Sequence, residues 1–178
     1  RELVFGGVKV PYIMNYYADS IVCYSFSKSL SLPGERIGYI AVNPAMSNAG
    51  EVYAAVCGAG RALGYVCAPS LFQLIIPRVI GKTSDISVYE RNRDVLSAAL
   101  QSYGYEVVKP DGAFYLFVKS LEPDSDAFAE RAKEHELLIV SAKSFGVEGY
   151  VRISYCVSPD MISRSLPAFK ALAESYGK

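Results

Sequence analysis

The sequence predicts an α/β protein in two parts, an α/β part up to about residue 83 and a small α+β part from residue 84 onward. Two observations carry this reading. Short apolar runs at 21–24 and 37–42, each flanked by turn residues, fit buried strands, and an Ala-rich helical stretch follows them. From Tyr105 the texture changes to short strand-like runs alternating with helices in the order β-β-α-β-β-α, which suits a small sheet packed on one helical face.

The elements follow in order. A Ser- and Gly-rich loop at 25–36 joins the first two strands. Asn43-Pro44 breaks the second strand, and residues 45 to about 63 read as helix, with Gly58 and Gly60 leaving room for another backbone. After a break at 64–69, Ser70 can cap a helix to about residue 80, kinked or restarted near Pro77. Ser84 or Asp85 can cap a longer helix to about residue 102, whose Ile86, Tyr89, Leu96 and Leu100 share a face. Strands are expected at 106–109, 113–118, 137–141 and 150–155, with an Asp111-Gly112 turn between the first two. A helix from about 126 to 136, capped by Ser125, separates the middle pair. Ser158 at a cap followed by Pro159 at the first helical position starts the last helix. The chain is therefore divided into 1–83 and 84–178, with the long helix bridging the two.

Composition bounds the function. With 178 residues and 51% apolar content the chain can bury a core, and its 18 basic and 18 acidic residues leave no net charge to attract nucleic acid or an anionic membrane. Every apolar run is interrupted by Arg, Lys, Gly or Pro, so no membrane span is expected, and the opening Arg1-Glu2-Leu3 does not read as a signal peptide. Cys23, Cys57, Cys67 and Cys156 are scattered, with only His135 as a nitrogen partner, so no metal site is expected. The thiols are read as reduced and mostly buried, as in a cytoplasmic protein. His135 lies in a charged run and is given no chemistry.

The loop Ser25-Phe26-Ser27-Lys28-Ser29-Leu30-Ser31-Leu32-Pro33-Gly34-Glu35-Arg36-Ile37-Gly38-Tyr39 combines three chemical features. Lys28 is an amine that could condense with an aldehyde, which requires its neutral form, and a guanidinium nearby favours that form through like-charge repulsion. Arg36 offers that guanidinium, and its fork of donors also matches phosphate oxygens. Ser25 and Ser27 add hydroxyl donors for the same anion, while Gly34 and Gly38 permit close backbone approach. The string Ser-x-Ser-Lys followed by Gly-x-Arg-x-Gly at this spacing resembles the lysine signature of the fold-type I pyridoxal-phosphate enzymes, the class I and II aminotransferases.

The resemblance implies that Lys28 is the catalytic lysine that forms the Schiff base with pyridoxal 5'-phosphate, and that Ser25, Ser27 and Arg36 bind its phosphate. Near the other end, Gly149-Tyr150-Val151-Arg152-Ile153-Ser154-Tyr155 looks like the family strand whose arginine receives the substrate α-carboxylate, which makes Arg152 the substrate ligand. Pro110-Asp111-Gly112-Ala113-Phe114-Tyr115 is similar to a recurrent family hairpin, although an ordinary Asp-Gly turn explains it nearly as well. In the family a much larger portion precedes the lysine loop and carries the acidic partner of the pyridine nitrogen. The chain therefore looks like the carboxy-terminal part of such an enzyme: the end of the large α/β domain followed by the small α+β domain, inactive or nearly so alone. The implied activity is transfer of an amino group between an L-amino acid and a 2-oxo acid by a cytoplasmic homodimer. A carbon–sulfur lyase of the same fold type, or an aminotransferase-like sensor domain of a transcription regulator, would share these residues.

Overall fold

A computed structural model describes all residues from Arg1 to Lys178. The chain forms two units, Arg1–Leu3 with Val8–Ser84, and Val4–Gly7 with Asp85–Lys178.

The first unit contains β1 (Ile21–Ser25), α1 (Phe26–Ser29), β2 (Gly38–Val42), α2 (Ala49–Ala62) and α3 (Ser70–Val79). β1 and β2 pair antiparallel from Ile21 opposite Val42 to Ser25 opposite Gly38. Phe26, Ile37 and Ile76 form the buried centre, with Tyr24, Leu30, Ala68, Phe72 and Val79 around them. The strands are not buried as their apolar runs suggested: Ile21 is 43% and Ile40 53% exposed, because the two-stranded sheet has no third strand. The apolar helix α2 has no buried residue. All four cysteines are exposed free thiols, which corrects the expectation of burial. Cys23 and Cys57 stand on β1 and α2, the elements that this unit leaves uncovered.

Three local departures have physical causes. α2 begins at Ala49 rather than Ala45, because buried Asn43 organises a turn: its Oδ1 accepts from Ala45 N at 3.0 Å, and its Nδ2 donates to the Met14 and Tyr17 carbonyls at 3.0 Å. Ser70 is the first residue of α3 rather than its cap; Pro69 holds the cap position without a side-chain hydrogen bond. Pro77 lies within α3, which ends at Val79. No glycine contact explains Gly58 in this chain, since nothing lies within 4 Å of a Cβ there.

The second unit runs α4 (Ile86–Ser102), β3 (Val107–Val108), β4 (Tyr115–Lys119), α5 (Ser125–Glu134), β5 (Val140–Ser141), β6 (Tyr150–Ser154) and α6 (Pro159–Ser175). Its antiparallel sheet has the order β3-β4-β6-β5. Alternation buries Leu116, Val118, Val151 and Ile153 on one face and leaves Tyr115, Phe117 and Arg152 half-buried on the other. α4 and α6 pack on each other and contribute Leu96, Leu100, Phe169 and Leu172 to the core. Asp85 caps α4 by accepting from Ser87 N at 3.0 Å, and Ser158 caps α6 ahead of Pro159.

α5 is capped one residue earlier than expected. The Asp124 carboxylate accepts from Asp126 N at 2.9 Å, while Ser125 is buried and its hydroxyl meets Ser141 Oγ at 2.9 Å. His135 is the C-cap of this helix. The turn before β4 places Ala113, not Gly112, at positive φ (63°). It is held from outside: Phe5 N donates to Asp111 O at 2.9 Å, and Arg93 donates to Pro110 O at 3.0 Å with its guanidinium 4.4 Å over the Phe5 ring. No helix is long and apolar enough to cross a membrane, and no group of metal-ligating side chains is present.

Candidate functional site

The lysine loop holds one turn of α-helix that the serine-rich sequence did not announce. A four-residue helix is too short to be stable alone, so its neighbours must fix it. Ser25 caps it, with Oγ accepting from Ser27 N at 3.2 Å and lying 2.8 Å from Ser27 Oγ. Phe26 N donates to Ile37 O at 3.1 Å, which ties the start of the turn to the chain just after Arg36. The loop thus brings the Ser25 and Ser27 hydroxyls, exposed Lys28 and the Arg36 backbone onto one end of the hairpin.

Two backbone features shape that end. A Cβ on Gly38 would lie 2.3 Å from Tyr24 O and 3.2 Å from Ser25 Cα, so β2 can approach β1 opposite Ser25 only with glycine there. Gly34, by contrast, has nothing within 4 Å of a Cβ, so close approach is not its role. Arg36 adopts a left-handed backbone (φ 52°), which is strained for a residue with a Cβ, and its Nη1 donates to Pro33 O at 2.6 Å. Its exposed guanidinium retains further N–H donors for an anion.

A hydrogen-bonded group beside Lys28 escaped the sequence reading. Tyr24 Oη lies 2.8 Å from Glu2 Oε2 and 2.8 Å from Ser29 Oγ. The phenol has one proton, which goes to the carboxylate, so the Ser29 hydroxyl donates to the phenol oxygen. The Tyr24 ring stacks on its cross-strand partner Tyr39 at 5.1 Å and meets Phe26 edge-on at 5.1 Å. Burial raises the Tyr24 phenol above its ordinary value, and the bond to Glu2 adds to this. Against the upward push of burial, the Tyr24 hydroxyl helps to hold the Glu2 carboxyl below its ordinary value. The only sequence signal was a polar-tipped aromatic ending an apolar run. An open groove of about 840 Å³, lined by Cys23, Ser25, Tyr39, Ile40 and residues of α2, runs along the hairpin.

Arg152 belongs to the second unit, on the half-buried face of β6 between Phe117 on β4 and Val140 on β5. Its guanidinium carbon lies 4.3 Å from the Tyr115 ring centre and 4.4 Å from that of Phe145. No carboxylate of the chain pairs with it, whereas Arg93 and Arg164 are both paired. Stacking on ring faces fixes the plane of a guanidinium and leaves its N–H edge for an in-plane acceptor. Phe145 sits on a 3-10 turn, Ala142–Phe145, anchored by buried Ala142 and closed by Gly146 at φ 79°. Nothing in the sequence flagged Phe145 as a neighbour of Arg152.

Residues 2–169 match the family model for aminotransferase class I and II, and the chain belongs to that family. It is 31% identical over 169 residues to a probable aspartate/prephenate aminotransferase of Aquifex aeolicus, covering 84% of this chain and 40% of that one. It is 28% identical over 174 residues to the aromatic-amino-acid aminotransferase 2 of Thermococcus litoralis, covering 92% and 44%. Among solved structures, an amino transferase of Eubacterium rectale superposes with a TM-score of 0.95 at 58% identity, over 99% of this chain and 44% of that one. The chain thus spans less than half the length of these relatives and carries part of the fold of pyridoxal-phosphate aminotransferases.

Proposed function

We propose that the whole protein to which this chain belongs is a pyridoxal 5'-phosphate-dependent aminotransferase acting between an L-amino acid and a 2-oxo acid. The observation that carries the reading is the family match spanning both the Lys28 loop and the Arg152 strand. The first unit is then the end of the large cofactor-binding domain, and the second is the small domain. The names of the relatives, which include aspartate/prephenate and aromatic-amino-acid aminotransferases, support amino-acid and oxo-acid substrates.

The residues present fit the cofactor. Two adjacent hydroxyls, the approach that Gly38 permits and an exposed arginine with spare donors suit a phosphate dianion, with Ser25, Ser27 and Arg36 as its ligands. The bound cofactor supplies an aldehyde for an amine and a ring that accepts the electron pair left when the α-proton departs. With the cofactor bound, Lys28 Nζ would be the amine that holds its aldehyde, and as a free amine the same nitrogen would accept the proton leaving the substrate α-carbon. Arg152 receives the α-carboxylate bidentately, which sets the orientation of the C–H bond. We further propose that the protein works as a homodimer.

Steady-state kinetics of the whole protein test the reaction class. The first 2-oxo acid leaves before the second binds, so parallel double-reciprocal lines are expected and intersecting lines would overturn the scheme. Release of pyruvate and thiol from cystathionine would instead identify a lyase.

A further inference from the structure

We infer that Glu2, Tyr24 and Ser29 form a clamp that positions the turn carrying Lys28, with Tyr24 as its centre. The inference rests on the reading of Lys28 as the amine that holds the cofactor, and it names three positioning residues that do not touch the cofactor in that reading.

The need for a clamp follows from the size of the turn. Four residues close too few helical hydrogen bonds to offset the entropy of fixing them, so the direction of Lys28 depends on outside anchors. The amino end has two, the Ser25 cap and the bond from Phe26 N to Ile37 O. The carboxyl end has Ser29, the residue next to Lys28, whose side chain is buried (5% exposed). The Ser29 hydroxyl has one hydrogen-bond partner, Tyr24 Oη at 2.8 Å. Tyr24 is itself held in place, because it lies within a paired strand, stacks on Tyr39, packs edge-on against Phe26 and donates to Glu2 at 2.8 Å. A carboxylate acceptor draws the phenol proton away from Ser29, which leaves the phenol oxygen free to accept, so Glu2 sets the polarity of the whole chain of bonds. The loss of Tyr24 Oη would leave a buried hydroxyl unpaired beside Lys28.

The test uses the whole protein with Tyr24→Phe, Ser29→Ala, Glu2→Gln and Glu2→Leu. Tyr24→Phe keeps the ring contacts and removes only the hydroxyl. Ser29→Ala removes the clamp without leaving an unpaired group. Amide exchange of the peptide covering 26–30, measured without cofactor, reports the turn directly. Both variants are expected to accelerate it about ten-fold, the factor that one lost hydrogen bond of this kind supplies. Glu2→Gln keeps an acceptor and should have a smaller effect than Glu2→Leu. With pyridoxal phosphate added, borohydride-fixed adduct on Lys28 should form several-fold more slowly in Tyr24→Phe and Ser29→Ala.

Exchange and adduct rates within two-fold of wild type in both variants would overturn the clamp. Exchange that accelerates equally in distant peptides would also overturn it, because the role would then be general stability. Absence of a Lys28 adduct in the wild-type protein would refute the cofactor reading instead, and exchange would still decide the clamp.

Discussion

Gly38→Ala tests whether the backbone geometry at the lysine loop is needed. A Cβ at this position would sit 2.3 Å from Tyr24 O, and real Cβ atoms essentially never approach closer than 3.0 Å, so the strands must separate by at least the difference, 0.7 Å. Both nearest residues contribute backbone atoms, Tyr24 O and Ser25 Cα, so no side-chain rotation can relieve the clash. The register bond opposite Ser25 gives way first, because Gly38 is its partner. Overpacking of this kind costs about 1–3 kcal/mol. The displacement also falls on Ser25, the cap of the lysine turn and a proposed phosphate ligand, and misplacing a positioned group by about 1 Å can reduce rate on the order of 100-fold. The whole protein carrying Gly38→Ala should therefore unfold at lower denaturant concentration, bind pyridoxal phosphate more weakly and turn over slowly. Denaturant melts followed by cofactor titration would show this. Unfolding and cofactor affinity indistinguishable from wild type would refute the close-approach argument.

Arg152→Lys replaces a fork with a point charge, so KM for the amino acid should rise about 10- to 100-fold with kcat changed far less; an unaltered KM would remove Arg152 from substrate binding. In the second unit, the Lys109 ammonium, with Arg93, holds the Asp94 carboxyl below its ordinary value of 3.8 in spite of partial burial. Because the folded value lies below the unfolded one, the contribution is complete above about pH 4 and is lost as pH falls through the folded value. Asp94→Asn should flatten the acid limb of the stability profile in that window and leave the neutral region with a small, salt-sensitive loss; identical acid limbs would count against it.

How much of this was legible in the sequence depends on the range of the interactions involved. Local signals were readable: Ser158-Pro159 starts α6, Asp85 was one of two caps offered for α4, and the apolar runs marked β1 and β2. Lys28, Ser25, Ser27 and Arg36 stood out because they share one loop, which the fold sets at one end of the β1–β2 hairpin; the cofactor roles proposed for them rest on the family resemblance. Features set at a distance were not readable. The start of α2 depends on an asparagine that reaches back to Met14 and Tyr17, and the clamp on Ser29 depends on Glu2, 27 positions earlier. Burial of the strands and cysteines was overestimated because apolar composition states what a segment can bury, not what covers it. Ile40 stays exposed and no residue of α2 is buried, in a unit whose buried centre is three side chains. The aromatic faces on Arg152 needed both the β4–β6 register and the Ala142–Phe145 turn to become visible.

The most direct measurement is borohydride reduction of the whole protein mixed with pyridoxal 5'-phosphate, followed by peptide mass mapping beside Lys28→Ala. One reduced adduct on Lys28, absent from the variant along with transaminase turnover, is the expected result. Label spread over other lysines, no adduct at all, or a Lys28→Ala protein that still turns over would contradict the assignment of Lys28 and with it the proposed chemistry.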